Sequence, residues 1–348
     1  MLLYWILLLF FIIGSLSSVD GTQSRASVMA LWLGALLLTF AIGLRFQVGG
    51  DWGTYQLMFR RAGVYDIQGM MRFGDPAYQL LNWAVQWLEW PFWVVNLVCA
   101  GIFCWGLTRF ALAQLNPWLA MLLAVPYLVI VVAMGYTRQA VAIGIIMMGL
   151  AALQRGSSVL RFGLYVLAAA LFHKTAVVAM LLVALTGERN RLVNLLIVAA
   201  SAVLLYDSLL QSSMNNLMHN YVAAKYGSQG AAIRIALCII PAAIFLLRAK
   251  TFLFSEQSSA LWRNASITAF LALIALLASP SSTAVDRIAL YLLPLQLAVL
   301  SQIPRIIASK NSGRMFIIAY AVAIQFAWLN FATNAYYWVP YHSYLGLN

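Results

Sequence analysis

Long apolar runs recur from the first residues of the chain to its C-terminal region, separated by short polar stretches. The runs hold roughly 15 to 22 residues, close to the length that a helix needs to cross about 30 Å of hydrocarbon. The pattern predicts an all-α, polytopic transmembrane protein with about twelve membrane helices, forming a single domain over residues 1–348. The predicted spans are residues 2–18, 27–44, 91–112, 117–135, 137–153, 157–172, 174–187, 191–206, 231–248, 264–280, 286–303 and 314–331.

The composition excludes several classes of protein. Hydrophobic residues make up 64% of the chain and charged residues only 9%, with a mean hydropathy of +0.88. A soluble domain would carry about 25% charged residues, so a soluble enzyme, a disulfide scaffold and a disordered chain are all excluded. The cysteines, Cys99, Cys104 and Cys238, lie inside apolar runs without metal-ligand spacing, and the acidic residues are scattered. No metal is predicted.

The least certain division of the spans falls at His173 and Lys174. Residues 157–187 could form two short helices or one long helix. With two helices and the N-terminus outside, the cytoplasmic side receives twelve Lys and Arg with three acids, and the opposite side receives nine with six. This bias agrees with the positive-inside rule. It favours twelve helices with both termini outside, and it attributes the net charge of +12 to anchoring rather than to nucleic-acid binding.

Two segments on the predicted outer side are too long for simple turns. Residues 45–90, here called the outer segment, mix four Arg and four acids with many aromatic residues, a composition suited to an amphipathic stretch at the membrane interface. Residues 207–230 form a second outer segment rich in Ser, Asn and Tyr.

The first candidate cluster for chemistry follows the second span and runs from Arg45 to Tyr55. Gly49 and Gly50 precede Asp51, and glycines allow a ligand to approach the backbone closely. Arg45 and Asp51 could equally form a salt bridge at the helix exit.

The second and third clusters carry positive charge next to apolar helices. Arg138 and Gln139 lie between two long apolar runs, with no acid nearby in sequence. Ionisable groups at membrane depth are costly and usually functional, and a guanidinium matches phosphate bidentately. His173 and Lys174, at the uncertain division between two spans, could also bind a diphosphate, although a lone His is more often a structural hydrogen-bond donor.

The fourth cluster is Asp286-Arg287 with Tyr291 one turn further on, where Asp286 could also serve as a helix N-cap. The last is the aromatic stretch at the C-terminal end of the chain, which could stack on sugar rings or form an interfacial belt; its candidate ligands are Tyr337, Trp338 and Tyr341. Under the predicted topology all five clusters lie on one face. Together they predict a pocket for a phosphorylated, sugar-bearing ligand reached from the membrane.

In this order along nearly the whole chain, the five clusters resemble the EpsG family of bacterial exopolysaccharide proteins, which are Wzy-type polysaccharide polymerases. The resemblance implies a multi-pass glycosyltransferase of the bacterial inner membrane, related to the GT-C architecture, with its active site facing the periplasm. It would transfer a growing glycan from undecaprenyl diphosphate onto another undecaprenyl-diphosphate-linked repeat unit. It implies no cofactor and no nucleic acid, and its partners would be these glycans, membrane lipid and a chain-length regulator.

The residues that match the family receive roles on this basis. Arg138 and Arg287 would stabilise the diphosphate charge, with Arg45 and His173 supporting them, and Asp51 would be the general base, with Asp286 in reserve. Asp51 could alternatively only orient Arg45. The substrate-binding set comprises Arg45, Gly50, Tyr55, Gln139, Lys174, Asp286, Tyr291, Tyr337, Trp338 and Tyr341.

Two other functions would use a similar cationic pocket. A flippase for lipid-linked oligosaccharides is the main alternative, although transporters tend to carry internal repeats and ionisable residues near the middle of helices. A ligase that transfers finished glycan to another acceptor is the second.

Overall fold

The computed structural model describes residues 1–18, 23–184, 231–278, 282–307 and 309–346. Within these ranges all regular structure is helical, apart from an isolated β-bridge between Arg45 and Ser343. The predicted all-α class is confirmed. The predicted span 191–206 and the second outer segment, residues 207–230, lie outside the described residues.

Sixteen α-helices follow one another along the described chain, some of them continued by 3₁₀ or π turns. Their bounds are α1 Leu2–Ser17, α2 Arg25–Gly43, α3 Trp52–Ala62, α4 Ile67–Met71, α5 Pro76–Trp87, α6 Trp93–Ala111, α7 Pro117–Ala124, α8 Thr137–Gln154, α9 Val159–Phe172, α10 Ala179–Ala184, α11 Ala231–Arg248, α12 Glu256–Ala278, α13 Ser282–Ala289, α14 Leu293–Leu300, α15 Ile303–Ile306 and α16 Lys310–Phe331.

Five of these helices are long and apolar enough to cross a membrane by themselves: α2, α6, α8, α12 and α16. Shorter apolar helices of 10 to 17 residues accompany them. The helical stretch breaks at His173, whose backbone is extended, before a 3₁₀ turn over Lys174–Val178 leads into α10. Residues 159–184 are therefore two short helices, as the charge distribution favoured. Twelve crossings, their orientation and a GT-C-like arrangement stay predictions.

The centre of the bundle is built by α6, α7 and α8. Residues 117–133 are fully enclosed by other helices, and α7 continues as a π-helix over Val125–Ala133. Gly106 on α6 and Gly144 on α8 bring two backbones into contact, because a Cβ atom at Gly106 would lie 2.0 Å from the carbonyl oxygen of Gly144. Such small residues let membrane helices approach closely. This contact fixes α8, whose first turn carries Arg138.

The C-terminal segment, residues 335–346, folds back onto the start of the outer segment. The N–H of Gly49 donates to the carbonyl of Tyr337 at 2.9 Å, and the N–H of Phe46 donates to that of His342 at 2.8 Å. Tyr4 on α1 donates its hydroxyl to the carbonyl of Trp338 at 2.7 Å. The C-terminal segment and the start of the outer segment are thereby held at the same end of the bundle.

Candidate active site

Several helix termini meet at this end of the bundle and carry the predicted residues. The loop after α2 brings Asp51, the start of α8 brings Arg138, and the break after α9 brings His173. Helix α13 brings Arg287, and the start of α5 adds Asp75, which no sequence pattern singled out. Residues that are distant in sequence therefore form one polar cluster.

The strongest contact in the cluster is an ion pair between Arg138 and Asp75. The other carboxylate oxygen of Asp75 accepts the backbone N–H of Lys174 at 3.2 Å. His173 Nδ1 lies 3.6 Å from Asp75 Oδ2, slightly beyond hydrogen-bond range. Burial alone would raise the pKa of the Asp75 carboxyl, but His173 and Arg138 outweigh it and hold that pKa below its usual range. Asp75 is therefore an ionised anchor.

Two tyrosines form the wall against which the Arg138 guanidinium rests. Its Cζ atom lies 5.8 Å from the ring centroid of Tyr55 and 6.0 Å from that of Tyr78, within the range of cation–π attraction. Both rings are buried. The guanidinium also donates a hydrogen bond to the Tyr55 hydroxyl, and its Nε is buried without a partner among the described residues. The group is therefore held in place, and its side chain stays partly exposed at 20%.

Asp51 lies at the start of α3 but does not cap that helix with its side chain. Within the described part of the chain, its half-buried carboxylate forms no hydrogen bond or ion pair, so the salt bridge to Arg45 that the sequence left open is not formed. Burial raises the pKa of this carboxyl above its usual value, and the neighbouring Arg287, Arg138 and His173 oppose that rise. Asp51 is thus an available carboxylate facing a cationic surface.

Arg287 is exposed on α13, and its backbone carbonyl accepts a hydrogen bond from Gln139 Nε2 at 2.6 Å. Tyr291, one turn further on, shares a hydrogen bond of 3.2 Å with the hydroxyl of Thr175. These contacts tie α13 to α8 and to the turn after His173. The side chain of Asp286 lies outside the described part of the structure, so its predicted roles as reserve base and ligand stay predictions.

Arg45 is a predicted ligand that the structure buries deeply, at 1% exposure. Its Nε donates to the carbonyl of Val48, and its two terminal nitrogens donate to the carbonyl of Ile42 and to the hydroxyl of Thr137. Every guanidinium nitrogen therefore has a partner within the protein. The arrangement favours a role in shaping the loop before Asp51 over direct contact with a ligand.

The three aromatic ligands predicted in the C-terminal segment lie in two different environments. Trp338 and Tyr341 are buried, and each donates its polar hydrogen to a backbone carbonyl, of Ile130 and of Ala41 respectively. Tyr337 is exposed and lies next to Gly50, so of these three rings it is the one that borders the site. Lys174 is also exposed at the edge of the cluster.

Gly49 sets the distance between the loop that carries Asp51 and the turn that precedes Arg138. It has a φ of +103°, and a Cβ atom there would lie 2.2 Å from the carbonyl oxygen of Met134. Gly49→Ala should therefore displace this loop, lowering both the thermal unfolding temperature and glycan-product formation, because the clash and the left-handed φ both oppose alanine. Gly53→Ala is the matched control, since no atom lies within 4 Å of a Cβ at that position. Equal behaviour of the two variants would contradict this role.

A family model described as the EpsG family matches residues 28–343, which includes all the clusters described above. The chain belongs to the EpsG family. No curated protein and no solved structure matches the chain.

Membership of EpsG confirms the resemblance read from the sequence and identifies the chain with a family of Wzy-type polysaccharide polymerases. For an EpsG protein the grouping of Asp51, Arg138, His173 and Arg287 at one end of the bundle is the natural candidate for the active site. Asp75 is the member of the cluster that the sequence reasoning missed.

Proposed function

We propose that this EpsG protein polymerises undecaprenyl-diphosphate-linked repeat units into a surface polysaccharide. The observation that carries the proposal is the half-buried carboxylate of Asp51, which has no hydrogen bond or ion pair among the described residues and lies beside Arg138 and Arg287. A glycosyl transfer from a lipid diphosphate needs cations for the leaving group and an acceptor for one proton. This cluster supplies both.

The reaction breaks the bond between the anomeric carbon of the donor glycan and the diphosphate oxygen. The leaving oxygen keeps the electron pair, so negative charge on undecaprenyl diphosphate grows as the bond breaks. Arg138 is prepositioned against two tyrosine rings, and Arg287 is exposed on the facing helix. Fixed cations aimed at developing charge are among the largest contributions to catalysis.

The acceptor hydroxyl forms the new bond to the anomeric carbon and gives its proton to Asp51. The oxocarbenium-like centre that it attacks resembles that of glycoside hydrolysis. Gly50 beside Asp51 is exposed, and Tyr337 borders it, so a sugar ring can approach the carboxylate along this edge. The transfer needs no nucleotide sugar, because the lipid diphosphate is itself the leaving group.

The proposal places the site on the periplasmic face of the bacterial inner membrane. Its support is the excess of Lys and Arg at the other ends of the helices, which is typical of cytoplasmic loops. Lipid-linked donor and acceptor would both reach the site laterally from the outer leaflet. A chain-length regulator would act on the growing product.

The reconstituted reaction tests the proposal directly. Purified protein in nanodiscs would receive the lipid-linked repeat unit extracted from cells that lack the polymerase, without any nucleotide sugar, and the products would be sized by electrophoresis. A ladder of products is the expected result. Unchanged single repeat units, together with their transfer across the bilayer of proteoliposomes, would replace the polymerase with a flippase.

A further inference from the structure

The backbone conformation of Asp75 and the contacts of its side chain are not those of a residue that caps a helix. Asp75 precedes Pro76, the first residue of α5, in the left-handed conformation with φ 43° and ψ 69°. This region is uncommon for residues other than glycine. Although Asp75 occupies the N-cap position of α5, its carboxylate makes no capping hydrogen bond. It leaves its own helix and reaches segments 63 and 99 residues further along the chain.

The contact with Arg138 determines which donors that side chain has left. One terminal nitrogen bonds to Asp75, the Tyr55 hydroxyl also accepts a hydrogen bond from the guanidinium, and Nε is buried without a partner among the described residues. Because the tyrosine rings and the ion pair fix the guanidinium plane, its remaining N–H groups point in a set direction. An anion can then bind without the entropy cost of immobilising a free arginine.

The contact with His173 determines which imidazole nitrogen is left without a partner. A carboxylate 3.6 Å from Nδ1 favours the tautomer with the proton on Nδ1, because a bare Nδ1 lone pair would repel it. His173 is buried, and this burial lowers the pKa of the imidazole despite the opposing influence of Asp75. Neutral His173 therefore carries a lone pair on Nε2, a buried atom that has no hydrogen-bond partner among the described residues. Such an atom accepts hydrogen bonds and cannot donate one to a phosphate.

We propose that Asp75 is a positioning residue that gives its two neighbours different tasks: Arg138 binds the lipid diphosphate, and Nε2 of His173 accepts a hydrogen bond from a sugar hydroxyl. The assignment rests on the proposed function and deepens it. It changes the role of His173 from a supporting cation to a ligand of the glycan. Asp75 itself is not the base, because both of its oxygens are already engaged.

Two probes separate these tasks. Undecaprenyl diphosphate carries the diphosphate without any sugar, so its affinity reports on the cationic groups that bind the diphosphate, Arg138 among them, and not on a contact between His173 and the glycan. The lipid-linked repeat unit from polymerase-deficient cells reports on turnover. The variants are Asp75→Asn, Arg138→Ala, their double variant and His173→Ala, with Asp66→Asn as matched control. Asp66 is an exposed aspartate on the same outer segment that caps α4, a task that asparagine also performs.

The double variant provides the central result. Asp75→Asn and Arg138→Ala should each weaken undecaprenyl diphosphate binding by about tenfold or more, and the double variant should lose no more than Arg138→Ala, since coupled residues are not additive. Asp75→Asn should also lower kcat, by about 100-fold for a misplaced catalytic group. Additive losses, or wild-type binding by Asp75→Asn, would overturn the positioning role.

His173→Ala should leave the affinity for undecaprenyl diphosphate unchanged while lowering kcat with the repeat unit. A loss of affinity equal to that of Arg138→Ala would make His173 a diphosphate ligand and overturn its assignment. Thermal unfolding of each variant checks that it is folded. If Asp75→Asn does not fold, Asp75→Glu, which keeps the charge, replaces it in the comparison of the single variants with the double variant. Failure of the wild-type protein both to bind and to polymerise would instead contradict the proposed function.

Discussion

Replacing Arg138 with alanine is expected to lower kcat for polymerisation by about 100- to 1,000-fold, the usual cost of removing one fixed donor from a site of developing negative charge. The guanidinium lies between an ionised carboxylate and two tyrosine rings, so its position is fixed before the donor binds. Initial rates of ladder formation by the purified protein would measure the loss. Arg138→Lys should recover only part of the activity, because an ammonium keeps the charge but not the planar fork.

Arg155→Ala is the matched control for this experiment. Arg155 follows the last residue of α8 and is exposed, so it lies at the opposite end of the helix whose first turn carries Arg138. Its replacement should leave the rate near that of the wild-type protein. Equal losses from the two substitutions would show that charge at the ends of α8 matters for folding rather than for chemistry. A folded Arg138→Ala protein with unchanged rate would remove Arg138 from the mechanism.

The helical framework could be predicted because apolar length dominates the folding of a chain in a membrane. The span predicted at 117–135 corresponds to the helical stretch Pro117–Ala133. The predicted bounds of a span are less accurate where the first helical turns of a membrane helix are polar. The span predicted at 264–280 begins at Glu256 in the structure, because hydropathy does not register the polar first turns of a helix.

The convergence of the clusters could be anticipated from topology, but the identity of their partners could not. Asp75 lies in a polar segment with nothing in its sequence neighbourhood to mark it, and its partners become visible only when α5, α8 and the turn after α9 meet. Arg45 is the opposite case, because the sequence predicted a ligand contact and the structure shows partners within the protein. An arginine at a helix exit suggests a ligand, yet local carbonyl groups and Thr137 satisfy its donors.

Asp51 and Asp75 are both acidic residues of the outer segment, but their different surroundings give them different roles. Asp75 is bonded through both oxygens and its pKa is held low, so it remains a fixed anion throughout the reaction. Asp51 forms no such bonds with any residue that the structure describes, and burial raises its pKa. A weakly held carboxylate of raised pKa is the better acceptor of a proton.

Asp51→Asn is accordingly expected to lower kcat by about two to four orders of magnitude, the usual loss when a general base is removed. An amide keeps the shape of the side chain but cannot take the proton of the acceptor hydroxyl. The rate of ladder formation at saturating repeat unit measures this loss, and undecaprenyl diphosphate affinity should change little. Glu89→Gln, an equivalent change at an exposed residue of the same outer segment, is the control.

The pH dependence of the wild-type protein gives an independent reading of the same role. A base works in its ionised form, so kcat should fall as the pH drops through the pKa of Asp51. Because burial raises that pKa, the acid limb should lie above the pH of about 3.9 expected for an unperturbed aspartate. The limb should disappear from the residual activity of Asp51→Asn. If the variant instead gives a near-wild-type ladder with the acid limb intact, Asp51 only helps to shape the loop, and the proton must leave by another group.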